Sequence, residues 1–122
     1  MEYFSYKNLR IWQQSMSLVE GIYLMCERMP KSEIYGLTQQ IKRSSFSIPS
    51  NIAEGYTRGR AKEIVHFLRI SNGSASELET QLLIASRLRF LRTEDISGLL
   101  NEILSIQRQI QALIKKIEQD DK

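Results

Sequence analysis

Four stretches of this chain repeat one pattern: apolar or small side chains separated by alternating steps of three and four residues. That alternation puts every member of a set on one stripe of an α-helix and is incompatible with the two-residue period of a strand. Leu9, Trp12, Met16, Val19, Tyr23 and Cys26 form the first set. The second is Ile34, Leu37, Ile41, Ser45, Ile48 and Ile52, and the third Ala61, Ile64, Leu68, Ser71, Ala75, Leu78, Leu82 and Ala85. Ile96, Leu99, Ile103, Ile106, Ile110, Leu113 and Ile117 form the fourth and cleanest set. A chain with four such stripes must bring them together in one core, which predicts an all-α fold.

Punctuation sets the boundaries. Pro30 cannot continue a helical hydrogen-bond ladder and restricts Met29 before it, so the first helix stops there. Ser32 is placed to cap the second helix, with Glu33 in its first turn, and Gly55 and Gly59 bracket its end. Pro49 lies inside that helix and predicts a kink. Gly73 costs the third helix about 1 kcal/mol relative to alanine; with Ser74 and Ala75 beside it, the expected reason is close approach of another helix. Thr93, followed by Glu94 and Asp95, reads as the N-cap of the fourth. The helices are therefore expected over about 7–29, 32–56, 60–90 and 94–119. Short connections make sequential helices antiparallel neighbours, so residues 1–122 read as one up-down-up-down four-helix bundle with a kinked second helix.

The charge is uneven. The net charge is +3, but residues 42–92 hold nine basic against four acidic side chains, while residues 93–122 hold four against six. A basic middle can attract a polyanion. The single cysteine excludes an intramolecular disulfide and fits a cytoplasmic setting. No apolar run approaches the roughly 18 residues of a membrane span, so no membrane partner is expected. The first residues lack the basic-then-apolar pattern of a secretory signal.

The third helix carries more apolar surface than one core can cover. Beyond its stripe, Phe67, Ile70, Ile84 and Leu88 occupy a neighbouring sector, and Val65, Leu83 and Phe90 a further one. A helix that is apolar nearly all round should be buried nearly all round. The surplus predicts a homo-oligomer, with Phe67, Ile70, Ile84 and Leu88 as interface candidates.

Residues 33–45, Glu-Ile-Tyr-Gly-Leu-Thr-Gln-Gln-Ile-Lys-Arg-Ser-Ser, lead into Ser47-Ile48-Pro49-Ser50-Asn51-Ile52-Ala53-Glu54-Gly55. With Leu9-Arg10-Ile11-Trp12-Gln13 and the run from Gly73 to Leu82, these closely resemble the bacterial four-helix-bundle family encoded in intervening sequences of 23S rRNA genes. The resemblance covers nearly the whole chain. It implies a homopentameric, barrel-like ring. A more distant similarity, to accessory proteins of diversity-generating retroelements, implies a basic ring that binds nucleic acid. The family's position inside an rRNA gene does not make it part of the ribosome.

Gln40, Arg43, Ser47, Asn51, Glu54 and Arg58 form a polar stripe beside the apolar stripe of the second helix. It reads as a hydrogen-bonded network against a neighbouring helix or as a ligand or partner site. No nucleophile–base–orienter set accompanies it. His66 is the only histidine, and no acid or cysteine cluster has metal-ligand spacing, so neither a cofactor nor a metal is expected. Cys26 reads as a core residue. The basic residues gather at the two ends of the expected bundle: Arg58, Arg60 and Lys62 at one, Arg87, Arg89 and Arg92 at the other. These six are the nucleic-acid-binding candidates, suited to phosphates and not to base sequence. The expected function is a non-enzymatic oligomer that binds RNA or DNA; the alternative is a protein–protein scaffold without nucleic-acid binding.

Overall fold

The computed structural model describes residues 4–121; Met1–Tyr3 and Lys122, the extremes of the expected 1–122 domain, lie outside the described residues. Four α-helices carry the chain: α1 (Arg10–Cys26), α2 (Leu37–Arg58), α3 (Ala61–Arg87) and α4 (Thr93–Asp120). Short 3-10 turns at Tyr6–Asn8 and Lys31–Glu33 precede α1 and α2. The described residues contain no strand.

Each helix packs on its sequence neighbours, and α1 also packs on α4. Across α2 and α3 the partner numbers fall as they rise: Ser44 meets Glu77, Ser47 meets Ser74, and Ser71 meets Ile48. Gln14 of α1 meets Ser105 of α4, and Arg28, two residues past the end of α1, meets Asp95. Between the helices lies one aliphatic core that includes Leu18, Ile22, Ile41, Ile48, Ile52, Leu68, Leu78, Leu82, Ile103, Ile106 and Ile110, all fully covered.

The stripes of α2, α3 and α4 face this core largely as expected, but α1 is turned by about one residue. Ile11, Ser15, Leu18, Ile22 and Met25 are buried, together with Cys26 of the expected stripe, whereas Met16 and Tyr23 are 40% and 42% exposed. The buried Ser15 conceals the true stripe in the sequence. Its hydroxyl donates to the Ile11 carbonyl at 2.6 Å, so burying it leaves no polar group unpaired.

Helix starts and ends differ from the expected ones in several places, and α3 ends at Arg87 and not at 90. α1 ends at Cys26, three residues short, in a tightened turn in which the amides of Glu27, Arg28 and Met29 donate to Leu24, Met25 and Cys26. Ser32 does not cap α2. The helix begins at Leu37, after Gly36, and the Glu33 carboxylate accepts the Leu37 amide at 3.3 Å; Ile34, assigned to the core stripe, is 51% exposed. Thr93 lies inside α4, one residue past the cap Arg92, and the Asp95 carboxylate accepts the Arg92 amide at 2.9 Å. α2 runs through Pro49 as one helix and ends at Arg58, where Gly59 adopts φ +82°.

The close helix approach expected at Gly73 occurs at Gly55 instead. A Cβ on Gly73 would meet nothing within 4 Å, so no helix approaches there. At Gly55 a Cβ would lie 2.9 Å from Phe67 Cβ and 3.3 Å from Ile64 Cα, so this glycine marks the close approach of α2 and α3.

Candidate functional site

The α2–α3 seam is rich in hydroxyl contacts. Small residues on both helices let the backbones come close, and hydroxyls fill the gap. Ser71, fully buried, donates to the Ile48 carbonyl at 2.9 Å, just before Pro49. Ser44 donates to Glu77 at 2.8 Å, and the Ser47 and Ser74 hydroxyls share a hydrogen bond of 2.8 Å. The Asn51 amide donates to the Ser47 carbonyl at 2.8 Å and to its hydroxyl at 2.9 Å.

The polar stripe therefore divides. Ser47 and Asn51 lie in the seam network. Glu54 and Arg58 pair with each other at 3.2 Å, and Arg58 also reaches Glu63 at 3.3 Å while lying 4.9 Å over the Phe67 ring. The Glu63 and Glu54 hydrogen bonds hold the Arg58 guanidinium above its ordinary pKa. Gln40 and Arg43 are exposed and make no side-chain hydrogen bond to the described residues. Ser44 and Glu77, the part of the network that apolar periodicity does not flag, become visible only when α2 and α3 are set side by side.

The basic candidates separate in the same way. Arg58 is committed to two carboxylates and a ring. Arg60 and Lys62 are exposed and make no ion pair among the described residues; Lys62 lines a surface hollow with Glu118 and Asp121. Arg87, Arg89 and Arg92 are all exposed and make no ion pair among the described residues. Arg89 is the only non-glycine residue with positive φ among the described residues, at 63°. It closes a Schellman turn at the end of α3: the Phe90 amide donates to the Ala85 carbonyl at 2.9 Å and the Arg89 amide to Ser86 at 3.0 Å. This turn ends the helix at Arg87, before Arg89 would enter the core stripe.

Of the interface candidates, Ile70, Ile84 and Leu88 are 40%, 41% and 56% exposed. Phe67 is not free for a partner in the same way, because it is half-buried beside Gly55 and beneath Arg58. Exposed apolar side chains also occur where the sequence pattern does not single them out, at Leu24, Tyr35 and Phe46. Val65 is buried.

A second polar cluster joins α1 to α4. Gln109 donates to the Gln14 side-chain carbonyl at 2.6 Å, and the amides of both glutamines lie 3.2 Å from the Ser105 hydroxyl. It contains no titratable group. His66 is exposed and meets the Phe67 ring edge-on. Cys26 is buried, and burial pushes its thiol pKa up, partly offset by the Lys42 ammonium. No group of three or more histidine, cysteine or acidic residues among the described residues could hold a metal ion. Among the described residues no helix is long and apolar enough to cross a membrane.

The sequence profile of the 23S rRNA-intervening sequence protein family matches residues 7–112. A crystal structure of a protein of unknown function from the S23 ribosomal protein family of Bacteroides thetaiotaomicron superposes with a TM-score of 0.80. It is 22% identical, over 86% of this chain and 98% of that one. That similarity is one of fold. A search of curated proteins finds no match.

Proposed function

Because this chain belongs to the 23S rRNA-intervening sequence protein family, we propose that it is a non-enzymatic, self-assembling binding protein that holds the phosphodiester backbone of RNA or DNA on its basic turns. The reading takes the fold as an up-down-up-down bundle, supported by the falling partner numbers across α2 with α3 and across α1 and the turn after it with α4. The observation that carries it is the set of exposed arginines at 87, 89 and 92, which no carboxylate neutralises in an ion pair among the described residues. Guanidinium groups left free in water are suited to phosphate oxygens and displace counterions when they meet them.

Assembly strengthens this reading. One chain carries only +3, too little for tight binding of a polyanion. A ring, five-fold by the family resemblance, repeats each basic turn around an axis. Ile70, Ile84 and Leu88 supply exposed apolar surface for contact between copies. A cytoplasmic location belongs to the same reading.

The test is fluorescence anisotropy of a labelled RNA hairpin titrated with the protein at several salt concentrations. Binding whose log affinity falls linearly with log salt is expected. Absence of binding at low salt contradicts the reading. The same exposed apolar side chains favour a second one, a scaffold for a protein partner, which predicts that absence.

A further inference from the structure

The molecule has basic residues at both turns that flank α3, and the two turns are not equivalent. We propose that the α3–α4 turn, through Arg87, Arg89 and Arg92, is the surface that grips phosphodiester backbone, and that the α2–α3 turn is not. The inference rests on the polyanion-binding reading above and assigns it a place.

At the α2–α3 turn the positive charge is answered in part. Arg58 is held by Glu54 and Glu63, whereas Arg60 and Lys62 make no ion pair among the described residues; of the two acids that line the hollow beside Lys62, Glu118 pairs with Arg69 at 3.1 Å. The residue that needs a left-handed backbone there is Gly59, at φ +82°, the residue type that adopts it without cost.

At the α3–α4 turn none of the three arginines is paired among the described residues. Asp95, the nearest half-buried acid, is already engaged by the Arg28 guanidinium at 2.8 Å and by the Arg92 amide at 2.9 Å. Glu94 is the one exposed carboxylate that follows directly, against three arginines within six residues. The left-handed position of the Schellman turn is filled by Arg89 at φ 63°, where glycine would relieve the backbone. A long cation at a strained, exposed turn contributes nothing to the core and makes no ion pair among the described residues. Strain retained where folding gains nothing from it points to use of the side chain outside the fold.

Arg89→Gly separates the two roles, because it removes strain and charge together. The full-length chain is titrated into a fluorescein-labelled RNA hairpin and into a DNA duplex across about 50 to 200 mM salt. Arg89→Gly is expected to raise the melting temperature while weakening binding to both probes, with the salt slope falling by about one unit per lost phosphate contact. Arg87→Gln with Arg92→Gln is expected to deepen the loss, and Arg60→Gln with Lys62→Gln to leave affinity within about twofold. A thermally stabilised Arg89→Gly protein with unchanged affinity and slope overturns the assignment. So does a loss confined to the Arg60 and Lys62 variant, and so does a loss for RNA alone, because phosphate contacts do not distinguish the two probes. Failure of the unaltered protein to bind either probe overturns the underlying reading itself.

Discussion

Single positions here separate backbone geometry from side-chain packing. Gly55 and Gly73 both lie inside helices, where alanine is normally favoured by about 1 kcal/mol. Gly73→Ala is expected to deliver that gain, because the new methyl meets nothing within 4 Å. Gly55→Ala is expected to lose stability, because its methyl would press to 2.9 Å on Phe67 Cβ and against the α3 backbone. Opposite shifts in the urea midpoint, at unchanged slope, would verify the pair. Arg89→Gly should gain roughly 1 kcal/mol by removing a left-handed non-glycine residue. Cys26 gives the pH dependence. Burial raises its thiol pKa, so the fold favours the protonated form. Its contribution to stability is full below the unfolded thiol's pKa and is lost as pH rises through the higher folded value. Urea midpoints should therefore fall on the alkaline side, and Cys26→Ser should reduce that fall. None of the Gly55 contact is visible in sequence, because which glycine meets a neighbour depends on helix rotation.

At the scale of the element, the stripes of α2, α3 and α4 were legible because Ile, Leu and Ala mark them at nearly every step. α1 was not, since two sets of residues with the same spacing lie one position apart. The correct one contains Ser15, which hydrophobicity alone discards. Helix starts and ends were both legible only in part: α2 begins at Leu37 and not at 32, and α1 and α3 end at Cys26 and Arg87 and not at 29 and 90. Pro30 and Gly59 act through backbone geometry that the sequence states directly, whereas the start of α2 depends on the side-chain reach of Glu33. The candidate site was half legible. The basic residues are plain in the sequence, but the pairing of Arg58 with acids of α2 and α3 sets it apart only in the fold. The α2–α3 seam yields its own prediction. Ser71→Ala removes the hydroxyl that donates to the Ile48 carbonyl and should cost about 1 kcal/mol. Ser71→Leu should cost more, because the fully covered site leaves no room for the larger side chain. Chemical denaturation of the two variants orders these costs.

For the whole molecule, the modest positive charge and the uncovered Ile70, Ile84 and Leu88 are parts of one account. Burying these side chains between copies would stabilise an assembly and bring several basic turns into one field. The apolar surplus of the third helix was legible in the sequence in part; the exceptions include Phe67, which α2 partly covers, and Val65, which is buried in the core. The number of copies rests on family resemblance and not on periodicity. Light-scattering mass, measured for the protein alone and with a structured RNA at low and high salt, tests assembly and binding together. The account predicts a multiple of 14.2 kDa, five-fold by the resemblance, with RNA added to that mass at low salt and released at high salt. A mass of one chain that RNA does not change at low salt would contradict it.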